Sequence, residues 1–194
     1  MKITIIGAGN IGKTLGEKWI QAGHQITYGV RNPADPKHAG LNTAPIKESL
    51  AQAEVILLAL PGTAVEEFAN QFGADLNEKI VIDSTNNPRN SVVNNLAVLQ
   101  STAPGSRIVH AFRTLGWENF ANPLLGGQQI DLFFAGDPST RTITEQLIQE
   151  VGLHPVYFGG YDAIPAIDGM MRAWFALAFG QGKGRRVAFK LLTD

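Results

Sequence analysis

Short runs of adjacent apolar residues alternate along this chain with segments whose apolar positions recur every three or four residues. Ile3–Ile6, Ile26–Val30, Val55–Leu60, Ile80–Asp83, Arg107–Ala111, Ile130–Ala135 and Pro155–Phe158 are of the first kind, the pattern of strands buried on both faces. Between them, Ile11, Leu15, Trp19 and Ala22 mark the face of one helix. Ala64–Phe72, Val92–Leu99 and Ser139–Val151 read as three more, and a short helix ends over Ser49–Ala53. Strands alternating with helices predict a doubly wound, mainly parallel α/β sheet of the Rossmann type. Asn32–Pro45, rich in Pro, Asn, Ala and Gly, reads as a loop with a short extended piece. The tail from Tyr161 to Leu192 reads as helical, broken near Gly180, Gly182 and Gly184. The expected organisation is a nucleotide-binding domain over residues 1–160 and a small helical appendage over 161–194.

The junction between the first strand and the first helix carries the clearest chemistry. Gly7, Gly9 and Gly12 form a GxGxxG pattern with no spacer after the strand. The first glycine permits the tight turn, the second lets backbone approach a pyrophosphate, and the third lets helix close onto strand. The helix N-terminus then presents unpaired amides and a positive dipole end to the diphosphate. In a strand–loop–helix–strand context this pattern reads as dinucleotide binding. At the end of the second strand, where an NAD-selective site carries Asp or Glu, the chain has Arg31-Asn32. A guanidinium there pairs with a 2′-phosphate, so NADP(H) is the expected cofactor.

Composition narrows the picture further. The chain has 194 residues, a net charge of −1 with scattered basic residues, and no cysteine. That argues against nucleic-acid binding, disulfides, thiolate chemistry and most zinc or iron–sulfur sites. The apolar N-terminus is one strand long, so no signal peptide is expected. Met170–Phe179, the most apolar stretch of the tail, is far short of the roughly 20 residues a membrane span needs. A cytoplasmic location, with no membrane partner, is the expectation.

Ligands of an open α/β sheet bind beyond the carboxyl ends of its strands, so the residues after each strand carry most weight. Leu60-Pro61-Gly62 reads as a rigid apolar wall, and Ser84-Thr85-Asn86-Asn87-Pro88 as amides and hydroxyls for a nicotinamide or its ribose. Phe112-Arg113-Thr114-Leu115-Gly116 is the third such loop. His110, on its strand, reads as a structural imidazole. No metal-ligand pattern and no acid–base pair stand out, and the remaining carboxylates are expected mostly on helix surfaces or in turns, so no catalytic side chain is assigned. Such a chain suits hydride passing between two cofactors, which needs alignment and dryness more than a proton donor.

The stretches ITIIGAGNIGKTLGEKWIQAGHQITYGVRNP, VILLALP, VIDSTNNP, HAFRTLGWENFANP and GMMRAWFALAFGQGKGRRVAFKLL together resemble the NADPH-dependent coenzyme F420 reductases. The resemblance implies a homodimer in which a deazaflavin or flavin ring, the second substrate, stacks on the nicotinamide of NADPH. It assigns Gly7, Gly9, Asn10, Ile11 and Gly12 to the diphosphate loop, Arg31 and Asn32 to the 2′-phosphate, and Leu60, Pro61, Asn86 and Ala111 to the nicotinamide side. Phe112, Arg113 and Leu115 fall toward the acceptor. The family's Lys-Ala-Phe-Asn-Thr-Leu-Gly is here His110-Ala111-Phe112-Arg113-Thr114-Leu115-Gly116, and its Thr-Asn-Pro is Thr85-Asn86-Asn87-Pro88. Arg113 reads either as a cation for an anionic acceptor or as a surface residue paired with Glu118. Two other functions stay open on the same fold: a reductase of small imines or ketones, and an NADP(H)-sensing module without turnover.

Overall fold

In the computed structural model, which describes residues 1–194, the strand β1 (Lys2–Ile6) buries every residue after Lys2. A parallel strand covered on both faces needs this continuous apolar run. The helix α1 (Asn10–Gln21) follows, and β2 (Gln25–Val30) returns parallel to β1, from Lys2↔Gln25 to Ile6↔Gly29. β3 (Thr43–Pro45) adds outside β2 and passes directly into α2 (Ile46–Ala51). β4 (Val55–Leu58) pairs with the opposite side of β1, and β5 (Ile80–Asp83) lies beyond it after α3 (Val65–Phe72). The order β5-β4-β1-β2-β3 is parallel throughout, a Rossmann-type α/β arrangement.

The face of α1 toward the sheet holds Gly12, Leu15, Gly16 and Trp19, all buried. Each large apolar side chain so buried contributes about 1.5–3 kcal/mol of transfer free energy. Gly16 is there because of Tyr28: a Cβ on Gly16 would lie 2.1 Å from the Tyr28 hydroxyl oxygen. Burial, with the nearby Glu17 charge adding, pushes the Tyr28 phenol up to about 12.

The helix expected over Val92–Leu99 is α4 (Leu96–Thr102) instead. Asparagines set its start. Asn94 Oδ1 accepts from the Leu96 amide, and the Asn95 side chain is committed to Thr85 and Asn87 in the preceding loop.

The chain forms two compact units, Met1–Ile108 and Val109–Asp194, and the residue 160 boundary of the sequence reading lies inside the second. β6 (Arg107–His110) spans the division. The second unit continues with α5 (Trp117–Ala121), a hairpin of β7 (Leu124–Leu125) and β8 (Gln128–Gln129), then β9 (Asp131–Gly136), α6 (Arg141–Val151), β10 (His154–Tyr157) and α7 (Ile164–Phe175). β9 pairs parallel with β10 and antiparallel with β6.

A π-helical turn over Ala176–Gly180 ends α7, and residues 181–194 carry no regular structure, which corrects the helical reading of the tail to Leu192. Gly182 and Gly184 take positive φ and turn the chain. The tail's donors then find partners within the unit. Arg186 donates to the carbonyls of Glu118, Asn122 and Leu124, and the Trp174 indole donates to the Val187 carbonyl. Asp131, whose side chain is fully buried, accepts from Lys190 Nζ at 2.5 Å and from the Leu191 amide at 2.7 Å. No helix of the chain is long and apolar enough to cross a membrane.

Candidate functional site

The loop after β1 sits where the strand order switches: β2 and β3 run to one side of β1, β4 and β5 to the other. Gly7 has φ +110°, and a Cβ there would sit 2.5 Å from the Ala59 carbonyl oxygen after β4. A Cβ on Gly12 would sit 2.2 Å from the Gly7 carbonyl oxygen. The protein itself therefore requires both glycines. Gly9 differs, because no atom lies within 4 Å of where its Cβ would be and its backbone is ordinary extended chain. Nothing in the protein's own packing asks for glycine at that position. The α1 N-terminus has no side-chain cap, leaving first-turn amides for an anion.

A cavity of about 930 Å³ opens from this loop within the first unit. Gly7, Gly9, Arg31, Asn32, Leu60 and Pro61 line it. Asn10, Ile11 and Gly12 form the first turn of α1 beside it and are not themselves lining residues. The sequence reading gave no role to Lys13, Lys37, His38 and Lys47, or to Phe68, Gln71 and Phe72 of α3, all of which line the cavity. The signal for the last group was available: Phe68 and Phe72 stand four apart on a predicted helix and pack together, ring centroids 5.4 Å apart. Their rings form an apolar wall of the cavity, with Gln71 beside them. Lys37 pairs with Asp35 at 2.7 Å. The Lys37 side-chain hydrogen bond, followed by its backbone one, holds the Asp35 carboxyl below the usual range.

Asn86 lies outside the lining of this cavity, half-buried in the loop after β5. That loop is stiffened from beneath. The buried Asp83 accepts from the Thr85 amide at 2.8 Å and its hydroxyl at 2.6 Å, and Asn95 donates to the Thr85 hydroxyl. It also touches the loop after β4, since a Cβ on Gly62 would fall 2.5 Å from the Asn86 carbonyl oxygen.

Ala111, Phe112, Arg113 and Leu115 belong to the second unit, and all four are buried. Phe112 has φ +59° and its ring meets Phe120 edge-on at 5.5 Å. Neither Phe112 nor Leu115 presents a free side-chain face. Arg113 is not on the surface and does not pair with Glu118. Its side chain is fully buried, with Nη1 3.0 Å from Asp168 Oδ1 and 2.5 Å from His110 Nδ1. Glu118 pairs with Arg185 instead, at 2.6 Å. His110 is buried, as a structural imidazole would be, but it belongs to a His–Arg–Asp cluster that sequence spacing did not disclose. Asp83, Asp131 and Asp168 likewise depart from the expectation that carboxylates lie on surfaces. No three His, Asp or Glu side chains gather into a set able to hold a metal ion.

A parallel sheet, a glycine loop at its switch point and a cavity running to cationic residues beyond β2 define a dinucleotide-binding domain of the NADP-dependent oxidoreductase class. More particularly, residues 2–87 match the model of the family described as NADP oxidoreductase, coenzyme F420-dependent. The whole chain superposes on all of a candidate F420-dependent NADP reductase from Arthrobacter sp. FB24, with a TM-score of 0.82 at 21% identity. A hypothetical protein from Sinorhizobium meliloti matches at 26% identity and a TM-score of 0.69, over 100% of this chain and 96% of that one. An imine reductase from Streptomyces aurantiacus shares the fold at 17% identity and a TM-score of 0.68, over 91% of this chain and 63% of its own length.

Proposed function

We propose that the protein is a cytoplasmic oxidoreductase that moves hydride between NADPH and a deazaflavin (coenzyme F420) or flavin-like acceptor. The observation that carries this reading is the cavity of the first unit, which runs from Gly9 to Arg31 within the stretch that matches the F420-dependent family model. The residues present fit an NADP(H) molecule: the open space at Gly9 for the diphosphate, Arg31 and Asn32 for the 2′-phosphate, and Leu60 and Pro61 for the nicotinamide side. Bound NADPH supplies the hydride. The chain's contribution is to hold the two partners in alignment and exclude water. Phe112, Arg113 and Leu115, which the resemblance assigns to the acceptor, have buried side chains in the second unit.

The acceptor class is tested with NADPH deuterated at the transferable position, offered in parallel to a deazaflavin, a flavin, and small carbonyls and imines. Deuterium is expected on the ring carbon of the tricycle. Turnover confined to carbonyls or imines would contradict it. The second reading, reduction of a small imine or ketone, gains support from the His110–Arg113–Asp168 cluster, since such reactions need a proton donor that the sequence alone did not reveal. NADPH binding without oxidation by any acceptor would leave a sensing module.

Arg31→Asp should remove the preference for NADP(H) at a loss of about 1.5–3 kcal/mol, the value of a charge-assisted hydrogen bond. Titration of both proteins with NADPH and NADH checks it, and an unchanged affinity ratio would contradict it. A homodimer is proposed through α7 and its π-helical end. Met171, Trp174 and Ala178 are used inside the unit, whereas Met170, Phe175 and Leu177 are half-buried and Phe179 is 54% exposed. Light scattering at micromolar protein should give twice the chain mass, and a monomer would refute it.

A further inference from the structure

Parallel pairing of β2 with β3 brings two chain segments out at one carboxyl edge of the first unit. Val30 lies opposite Pro45 in this register, so Arg31 and the Ile46-Lys47 step leave adjacent strands, which run about 5 Å apart. Both Arg31 and Lys47 line the cavity. We infer that Lys47 is a second determinant of cofactor choice, sharing with Arg31 the 2′-phosphate of the adenine dinucleotide, one cation from each strand end. The inference rests on the NADP(H) reading of the cavity.

Charge and packing both support it. A phosphate monoester carries about −1.5 to −2 at neutral pH, more than one guanidinium offsets. Lys37 also lines the cavity, but Asp35 engages its ammonium at 2.7 Å. Lys47 has no such carboxylate, and the single acidic residue lining the cavity, Glu67, comes from α3. His38 lies on the same flank, 9% exposed, with an Nδ1 that has no hydrogen-bond partner, so this wall keeps polar groups the protein does not satisfy. Gly29 fixes the position of Lys47. A Cβ there would lie 2.5 Å from Ser49 Oγ and 2.6 Å from Ile6 Cδ1, so α2 packs directly onto the end of β2.

The test titrates the wild type, Lys47→Ala, Lys47→Arg and Lys37→Ala with NADPH and NADH, and with 2′-AMP and 5′-AMP as minimal probes. Lys47→Ala should weaken NADPH and 2′-AMP by about tenfold or more while NADH and 5′-AMP stay within about twofold. Lys47→Arg should restore most of the loss, and Lys37→Ala should have the smaller effect. Equal losses for both cofactors, or no loss, would overturn the assignment. If the wild type discriminates and Lys47→Ala keeps the same ratio, only the role of Lys47 falls. If the wild type does not discriminate, the NADP(H) reading falls with it.

Discussion

Gly12→Ala is expected to destabilise the protein by about 3 kcal/mol, and Gly9→Ala by almost nothing, although the two glycines share one loop. The Gly12 Cβ would lie 2.2 Å from the Gly7 carbonyl oxygen and 3.0 Å from Ile5 Cγ2, so α1 must move off β1. The closest obstacle is backbone, which cannot swing aside as a side chain can, and the cost falls at the upper end for overpacking. For a chain of this size that lowers Tm by about 6–12 °C. The Gly9 Cβ meets nothing in the protein and its φ of −81° suits any residue. Gly9→Ala should therefore melt like the wild type and yet bind NADPH about tenfold or more weakly, because the methyl occupies the approach to the diphosphate. Melting curves and cofactor titrations of both variants separate the two effects. A Gly9→Ala protein with wild-type affinity would show that the diphosphate does not pass over that residue.

Asp168→Ala is expected to destabilise the protein by about 3–5 kcal/mol, the cost of removing one partner of a buried ion pair. The Arg113 side chain is fully buried, and the Asp168 carboxylate at 3.0 Å compensates its charge. Replacing both partners by apolar residues, Arg113→Met with Asp168→Leu, should recover most of the loss, since desolvation of the guanidinium is then no longer paid. Denaturant unfolding of the three proteins measures this. A double variant as unstable as Asp168→Ala would indicate that the shape of the pair, and not its charge, is what the second unit requires.

The first unit was largely legible because its signals are local. A β-branched run and three glycines at fixed spacing specify a strand, a turn and a helix start without long-range information. The spacing of Phe68 and Phe72 is legible, but only the placement of α3 puts them on the cavity wall, and only the β2–β3 register puts Lys47 there. The second unit hides more. Arg113 and Asp168 are 55 positions apart, and a lone aspartate between Ile167 and Gly169 reads as the polar edge of an apolar helix until the fold places an arginine against it. The tail was misjudged past Gly180 because its apolar residues suggest a helix, while its backbone and basic side chains are satisfied by Glu118, Asn122, Leu124 and Asp131. Neither the periodicity of the tail nor its composition reports such pairings.

Direct titration of the wild-type protein with NADPH and NADH under identical salt conditions tests most simply whether the first unit is an NADP(H) site. NADPH should bind at least about tenfold tighter, in line with one or more charge-assisted contacts to the 2′-phosphate. Equal affinities, or tighter binding of NADH, would contradict it.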